Sequence, residues 1–405
     1  MNPSQDYKKE PVQLLNYDSI AVISIDNPPV NALSHGVRQG IVSCLKAAES
    51  DHNVDAIVVS CSGRTFIAGA DISEFGQPAL KPHLPDVLAQ LDECSKPIIA
   101  ALFGTVLGGG FEVALSCHYR VALTNTKLGL PEVTLGLIPG AGGTQLLPRL
   151  AGVEVALQMM TSGKAETAKK LFDHGVIDLL VEQVAINPDE TLLQQAIVFA
   201  QNIAKKGEEI RRVSEISIHK SEHHSELFDQ WRKKLAKKAR GQNAPQCCIN
   251  SIENAVLLPF NEGKKREREL FIRCRDSSQS VAMRHAFFAE RRAAKLPEAY
   301  DKTQNVTLLP IKQVAIVGAG TMGGGIAMCF ANAGLSVILL EMNEDNLALG
   351  LLAIRKRFEQ ALNRGLIDHV QLEQRMSLIV GTCNYEDLSD VDLVVEAAFE
   401  TMAVK

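Results

Sequence analysis

Apolar runs of strand length alternate with stretches of helical spacing along the first half of the chain. Ile20–Ile25 is rich in β-branched residues and stops at Asp26-Asn27-Pro28-Pro29, which predicts a strand and then a turn. Gly36–Ala48 has apolar residues at helical spacing, and Ala56–Val59 and Pro97–Leu102 are short buried strands. A glycine-rich turn then opens a helix over Gly109–Cys117, and Tyr119–Leu123 returns as a strand. The alternation runs to about residue 185 and predicts an α/β unit. Residues 186–310 are helix-rich and charged, and Pro297 and Pro310 bracket a linker. Within them, residues 231–240 hold six basic side chains and no acid, which fits a solvated helix face or a contact with a polyanionic ligand. At Gln313 the pattern restarts: Val314–Val317 is a strand, a glycine loop and a helix follow, and Ser336–Leu340 and Asp392–Val395 are further strands. No internal repeat relates the two α/β regions.

Length and composition narrow this picture. At ~150 residues per domain, 405 residues make two or three domains. With 46% hydrophobic and 22% charged residues the chain can bury an ordinary core. Lys and Arg number 42 against 47 Asp and Glu, a net charge of -5. That argues against a basic nucleic-acid binder and leaves room for a local anion site. Nine cysteines lie scattered, without C-x-x-C or metal-type spacing, as expected for reduced thiols in an intracellular protein with no metal. Met1–Pro11 is polar and charged, unlike a secretory signal. No window reaches ~18 uninterrupted apolar residues, so no membrane span is expected.

Three segments carry a first candidate chemistry. Phe66–Ile72 is a small-residue turn after a strand; Leu107-Gly108-Gly109-Gly110-Phe111-Glu112 is a glycine turn opening a helix; Leu130-Pro131-Glu132-Val133 precedes Pro139-Gly140-Ala141-Gly142-Gly143-Thr144. Backbone N–H groups in such turns approach an oxyanion unobstructed, and a helix N-terminus adds partial positive charge; Gly109 meets both conditions. Glu112 and Glu132 could divide proton removal from water and proton delivery to carbon. The three segments in this order resemble the crotonase, or enoyl-CoA hydratase/isomerase, superfamily over residues 12 to about 190, with Asn27–Leu33 similar to its early CoA-side loop. The resemblance implies oxyanion donors at Ala70 and Gly109 and catalytic carboxylates at Glu112 and Glu132. It also implies hydration of trans-2-enoyl-CoA to 3(S)-hydroxyacyl-CoA, with isomerisation as an alternative.

Gly318-Ala319-Gly320-Thr321-Met322-Gly323 follows a strand and opens a helix, and Glu341 ends the next strand, 21 residues after Gly320. This is the context of a dinucleotide fingerprint. A carboxylate at Glu341 binds ribose hydroxyls and repels a 2′-phosphate, so NAD is expected over NADP. Residues 313–405 resemble the start of the NAD-binding domain of 3-hydroxyacyl-CoA dehydrogenases, which implies cofactor contacts at Gly318, Gly320, Met322, Gly323, Glu341, Glu400 and Lys405. Leu258–Phe260, Glu262-Gly263 and His285–Arg291 resemble the connector of bifunctional β-oxidation enzymes.

The expected organisation is therefore a crotonase-like domain over 1–190, a helical C-terminal part and linker over 191–310, and an incomplete Rossmann domain over 311–405. In that family the dehydrogenase His-Glu pair, Ser, Asn and closing helical domain lie beyond the position matching Lys405. The expectation is an N-terminal portion that hydrates alone, while the longer protein oxidises to 3-ketoacyl-CoA. A non-catalytic acyl-CoA- and NAD-binding module is the rival from another class. A homo-oligomer or a thiolase subunit is an expected partner besides the acyl-CoA thioester. A bacterial cytoplasm is the expected compartment, with the peroxisome as the alternative.

Overall fold

The computed structural model describes residues 10–71, 74, 78, 80–182, 188–207, 209–219, 223–293 and 309–401; Ile72, Pro297 and Lys405, named above, lie outside them. The chain divides into two compact units, residues 1–295 and 296–405.

The first unit is built on a sheet in the order β1-β2-β3-β4-β6-β9. Its strands are β1 (Val12–Tyr17), β2 (Ile20–Ile25), β3 (Ala56–Cys61), β4 (Ile98–Leu102), β6 (Tyr119–Leu123) and β9 (Leu179–Val181). β1 pairs antiparallel with β2, and every other neighbour is parallel. The apolar runs of β2, β3 and β4 are buried almost throughout, as expected of strands covered on both faces. β1 alternates and exposes Leu15 and Tyr17, and this weak pattern gave no strand expectation. The helix His35–Ser50 buries Val37, Ile41, Leu45 and Ala48 on one stripe.

A second, small sheet joins β5 (Thr105–Leu107), β7 (Lys127–Gly129) and β8 (Glu166–Thr167) in that order. β5 and β7 run parallel with Leu107 opposite Gly129. The Gly108 N–H donates to Gly129 O at 2.9 Å. β5 therefore delivers the chain into the Gly109–Ser116 helix beside the point where β7 delivers it into the 3-10 turn Glu132–Leu135.

The second unit has the order β12-β11-β10-β13, all parallel. These are β10 (Gln313–Val317), β11 (Ser336–Leu340), β12 (Ile379–Thr382) and β13 (Leu393–Glu396). Thr321–Asn332 is the crossover helix after β10, and Glu344–Asn363 and His369–Ser377 connect β11 to β12. The strand order reverses beside β10, which places a crevice at the end of that strand in the manner of dinucleotide-binding sheets.

The Gly109–Ser116 helix is buried at every residue, and its first turn lies against the main chain of Ile67. A Cβ on Gly110 would sit 2.1 Å from Ile67 O, where no side chain fits without moving backbone. Gly110→Ala is expected to destabilise the first unit by about 1–3 kcal/mol, measured as a lower urea midpoint. An unchanged midpoint would contradict this packing.

Candidate active site

Two turns bring backbone N–H groups together. Leu33 N–H donates to Gly69 O at 3.0 Å, Ala68 N–H to Val30 O at 3.1 Å, and Phe66 N–H to Phe103 O at 3.1 Å. Asn31, 3% exposed, ties the same loop down by donating from Nδ2 to the carbonyls of Ser62 and Thr65. Buried Arg38 adds bonds to Leu33 O at 2.7 Å and to Glu74 at 2.9 Å. A Cβ on Gly109 would lie 3.4 Å from the Ala70 nitrogen, so the two expected donor residues are neighbours. Neither N–H is taken by a hydrogen bond to another described residue.

Glu112 is on the first turn of the Gly109–Ser116 helix and 3% exposed. Its Oε1 accepts from Ala141 N–H and Gly143 N–H, both at 2.9 Å. Burial holds its carboxyl above the usual carboxylate range, and those two N–H groups and the charges of Arg268 and Lys264 pull it only part of the way back. Glu132 is a half-buried residue whose Oε2 is sealed from solvent and has no partner among the described residues. Its other oxygen lies 3.0 Å from where a Cβ on Gly108 would be, and Gly108 has φ +53°. A side chain there would both strain the backbone and crowd the carboxyl. Burial first, and the charge of Glu112 second, hold the Glu132 carboxyl well above the usual carboxylate range. The pair is thus unequal: Glu112 has donors that favour its anion, and Glu132 is favoured as the neutral acid.

In the second unit Gly318, at φ +105°, closes against the end of β13, where a Cβ would meet Ala397 O at 2.7 Å. A Cβ on Gly323 would meet Gly318 O at 1.8 Å, so helix and strand pack backbone to backbone. Gly320 has open space on its Cβ side. Glu341 Oε2 accepts from Ala319 N–H at 2.8 Å and its Oε1 from Met342 N–H at 2.9 Å. Met322 and Glu400 are exposed, Glu400 two residues beyond Ala397 and Ala398, which abut Gly318. Lys405 is outside the described residues. Glycines spaced for close approach, together with a carboxylate fixed on the loop, fit a dinucleotide.

The enoyl-CoA hydratase/isomerase family model matches residues 16–258. The chain belongs to this family. A second model, the NAD-binding domain of 3-hydroxyacyl-CoA dehydrogenase, matches residues 313–405. The peroxisomal bifunctional enzyme of Danio rerio is 39% identical over 390 residues, 96% of this chain and 52% of that protein. The human protein of the same name is 37% identical, over 96% of this chain and 53% of its own. A glyoxysomal fatty acid beta-oxidation multifunctional protein of Cucumis sativus is 34% identical over 98% of this chain and 55% of its own. The chain therefore spans about half the length of the curated relatives it matches. Carnitinyl-CoA hydratase from Mycobacterium avium superposes with a TM-score of 0.51 at 27% identity, covering 72% of this chain and all of that one. An enoyl-CoA hydratase/isomerase from Pseudoalteromonas atlantica, at 21% identity and a TM-score of 0.52, shows the shared fold. The α/β class, with a crotonase-like unit followed by a Rossmann-type unit, is as the sequence led us to expect.

This hydratase/isomerase family member holds a third buried carboxyl that sequence reasoning missed. Glu267, on the helix Phe260–Arg275, is 1% exposed, and its Oε2 accepts from Thr144 N–H at 2.9 Å and from the Thr144 hydroxyl. The run Lys264–Glu269 looks like a solvated surface, and only its packing shows which acid turns inward. The available signal was the family's connector at Glu262-Gly263: Gly263 has no Cβ where one would meet Gln145 Oε1 at 2.1 Å, which lets this helix lie on the Gly143–Ala151 helix. Among the described residues no group of three His, Cys, Asp or Glu is arranged to hold a metal ion. No described helix is long and apolar enough to cross a membrane.

Burial, and the charge of Glu112 after it, push the Glu267 carboxyl from an ordinary 4.5 up to about 8. Between those values the folded chain holds a proton that the unfolded chain has released. This contribution to stability is fully present below pH 4.5 and is lost as pH rises through about 8. Urea midpoints taken from about pH 5 to 9 are expected to fall across that window, and Glu267→Gln to flatten the fall by up to about one proton. An identical slope in the variant would contradict the raised value.

Proposed function

We propose that residues 1–295 hydrate trans-2-enoyl-CoA thioesters to 3(S)-hydroxyacyl-CoA, the stereochemistry following the family. The unequal buried pair of Glu112 and Glu132 supports this reading most directly. Glu112, whose anion two N–H groups stabilise against burial, takes a proton from water as the oxygen attacks C3. The thioester carbonyl gathers the negative charge, and the N–H groups of Ala70 and Gly109 receive it. Glu132, neutral in its buried setting, delivers a proton to C2. Two carboxyls flanking one water suit hydration better than isomerisation, which needs one group to shuttle a proton.

The second unit is proposed to bind NAD through Gly318, Gly320, Met322, Gly323 and Glu341, with Glu400 and Lys405 on the nicotinamide side. When bound, NAD would supply a hydride acceptor for oxidising a 3-hydroxyacyl-CoA. Glu341 selects against a 2′-phosphate by like-charge repulsion. We also propose the division into 1–190, 191–310 and 311–405. The relatives named are peroxisomal or glyoxysomal, which favours a peroxisome over a bacterial cytoplasm.

Glu112→Gln and Glu132→Gln are each expected to lower kcat for crotonyl-CoA hydration by at least ~10²-fold, followed as loss of enoyl-thioester absorbance. Near-wild-type turnover in either variant, with unchanged circular dichroism, would reject the assignment. Calorimetric titration is expected to show NAD binding more tightly than NADP and Glu341→Ala narrowing the difference. Equal affinities in the wild type would remove the role of Glu341.

A further inference from the structure

We infer that Glu267 is a positioning residue for the proposed hydration step: it grips Thr144 so that the adjoining Gly143 presents its N–H to Glu112. This inference rests on the function proposed above.

The contacts form one continuous path. Glu267 takes the N–H and hydroxyl of Thr144. The Thr144 hydroxyl also lies 2.7 Å from Ser251 Oγ, and Gln145 Nε2 donates to both Thr144 Oγ1 and Ser251 O at 2.9 Å. Thr144 is therefore fixed from the helices Ala244–Leu257 and Phe260–Arg275, far along the sequence from the turn it belongs to. One residue earlier, Gly143 gives its N–H to Glu112 Oε1, and a Cβ there would crowd Pro139 at 2.9 Å and Glu112 at 3.1 Å. There is no slack between the grip on Thr144 and the hydrogen bond to Glu112.

The consequence is chemical. Glu112 is a base only while ionised, and each N–H on its carboxylate favours the ion. Loosening the turn weakens one of two such donors, raises the pH at which Glu112 ionises and slows turnover, with little reason to disturb CoA binding. The charged and titratable groups facing Glu267 are Glu112 on the Gly109–Ser116 helix, Glu132 on the 3-10 turn, Cys248 on the Ala244–Leu257 helix, and Arg268 on the helix of Glu267 itself, while Lys264 on that helix acts on Glu112. With its pKa pushed up to about 8, Glu267 is mostly neutral near pH 7 and adds little negative charge beside Glu112. A glutamine, equally long and neutral, should replace it, whereas an aspartate, one methylene shorter, should not reach.

The test compares wild type, Glu267→Gln and Glu267→Asp in the full chain, measuring kcat and KM for crotonyl-CoA against pH. Glutamine is expected to keep kcat within ~3-fold, and aspartate to lose at least ~10-fold in kcat with KM within ~2-fold. The acid limb of the aspartate profile should move to higher pH. A wild-type profile for the aspartate variant, a loss confined to KM, or a glutamine variant as slow as the aspartate one overturns the inference. Thr144→Val, isosteric but lacking the hydroxyl that Glu267 grips, covers the case in which the aspartate variant does not fold. The same limb shift is expected, and an unmoved limb with full kcat overturns the assignment. A wild-type chain without hydration removes the proposed function and this inference together. An active wild type with an unaffected aspartate variant removes the inference alone.

Discussion

A carboxyl group taken out of water must either find donors or keep its proton, and the first unit is organised around three that have been taken out of water. Glu112 finds donors in the N–H groups of Ala141 and Gly143. Glu132 has an oxygen without any donor among the described residues. Glu267 finds the Thr144 N–H and hydroxyl. The charge of Glu112 raises the other two, that of Glu267 raises Glu132, and the main-chain turn at 139–144 supplies N–H donors to Glu112 and Glu267 but none to Glu132. Isolated ionised carboxylates at this depth would cost several kcal/mol each. The glycines of the turn leave space for the amides to approach.

Topology brings these groups together cheaply in chain terms. Parallel pairing of β5 and β7 sets Leu107 opposite Gly129. The elements carrying Glu112 and Glu132 therefore leave adjacent strand ends, although 20 residues separate the two acids. The close approach of Gly110 to Ile67 O fixes the helix of Glu112 against the turn that carries Ala70. A backbone-to-backbone contact thus helps to hold the proposed oxyanion donors beside the proposed base.

Much of this architecture was legible because it is local. β2, β3, β4, β6, β10 and β11 are mostly apolar runs, β6 with Arg120 within it, and the helices at His35 and Gly109 carry their periodicity or their glycines openly. β1 was not legible, since an edge strand with one wet face looks like a polar segment with scattered apolar residues. The helix Leu84–Glu93, announced only by His83 and Pro85, was also passed over. Glu112 stood out as an acid in an apolar stretch, and Glu132 by its place in the family pattern. Glu267 did not stand out, because Lys264 to Glu269 are all charged and inward orientation is a property of tertiary packing. Sequence reasoning put every group of the hydration site before residue 145, whereas the structure extends the network around Glu112 by more than a hundred residues.

The attachment of Glu341 to its own loop can be counted in lone pairs. A carboxylate offers about four acceptor positions, and the N–H groups of Ala319 and Met342 take one on each oxygen. About two are left, as many as the 2′ and 3′ hydroxyl protons on the adenine-side ribose of NAD. A ribose phosphorylated at the 2′ position has lost one of those protons and brings acceptors where the loop has only an acceptor to offer. In the proposed site, discrimination between the two nucleotides would follow from an arithmetic of donors and acceptors to which the loop has already contributed its share.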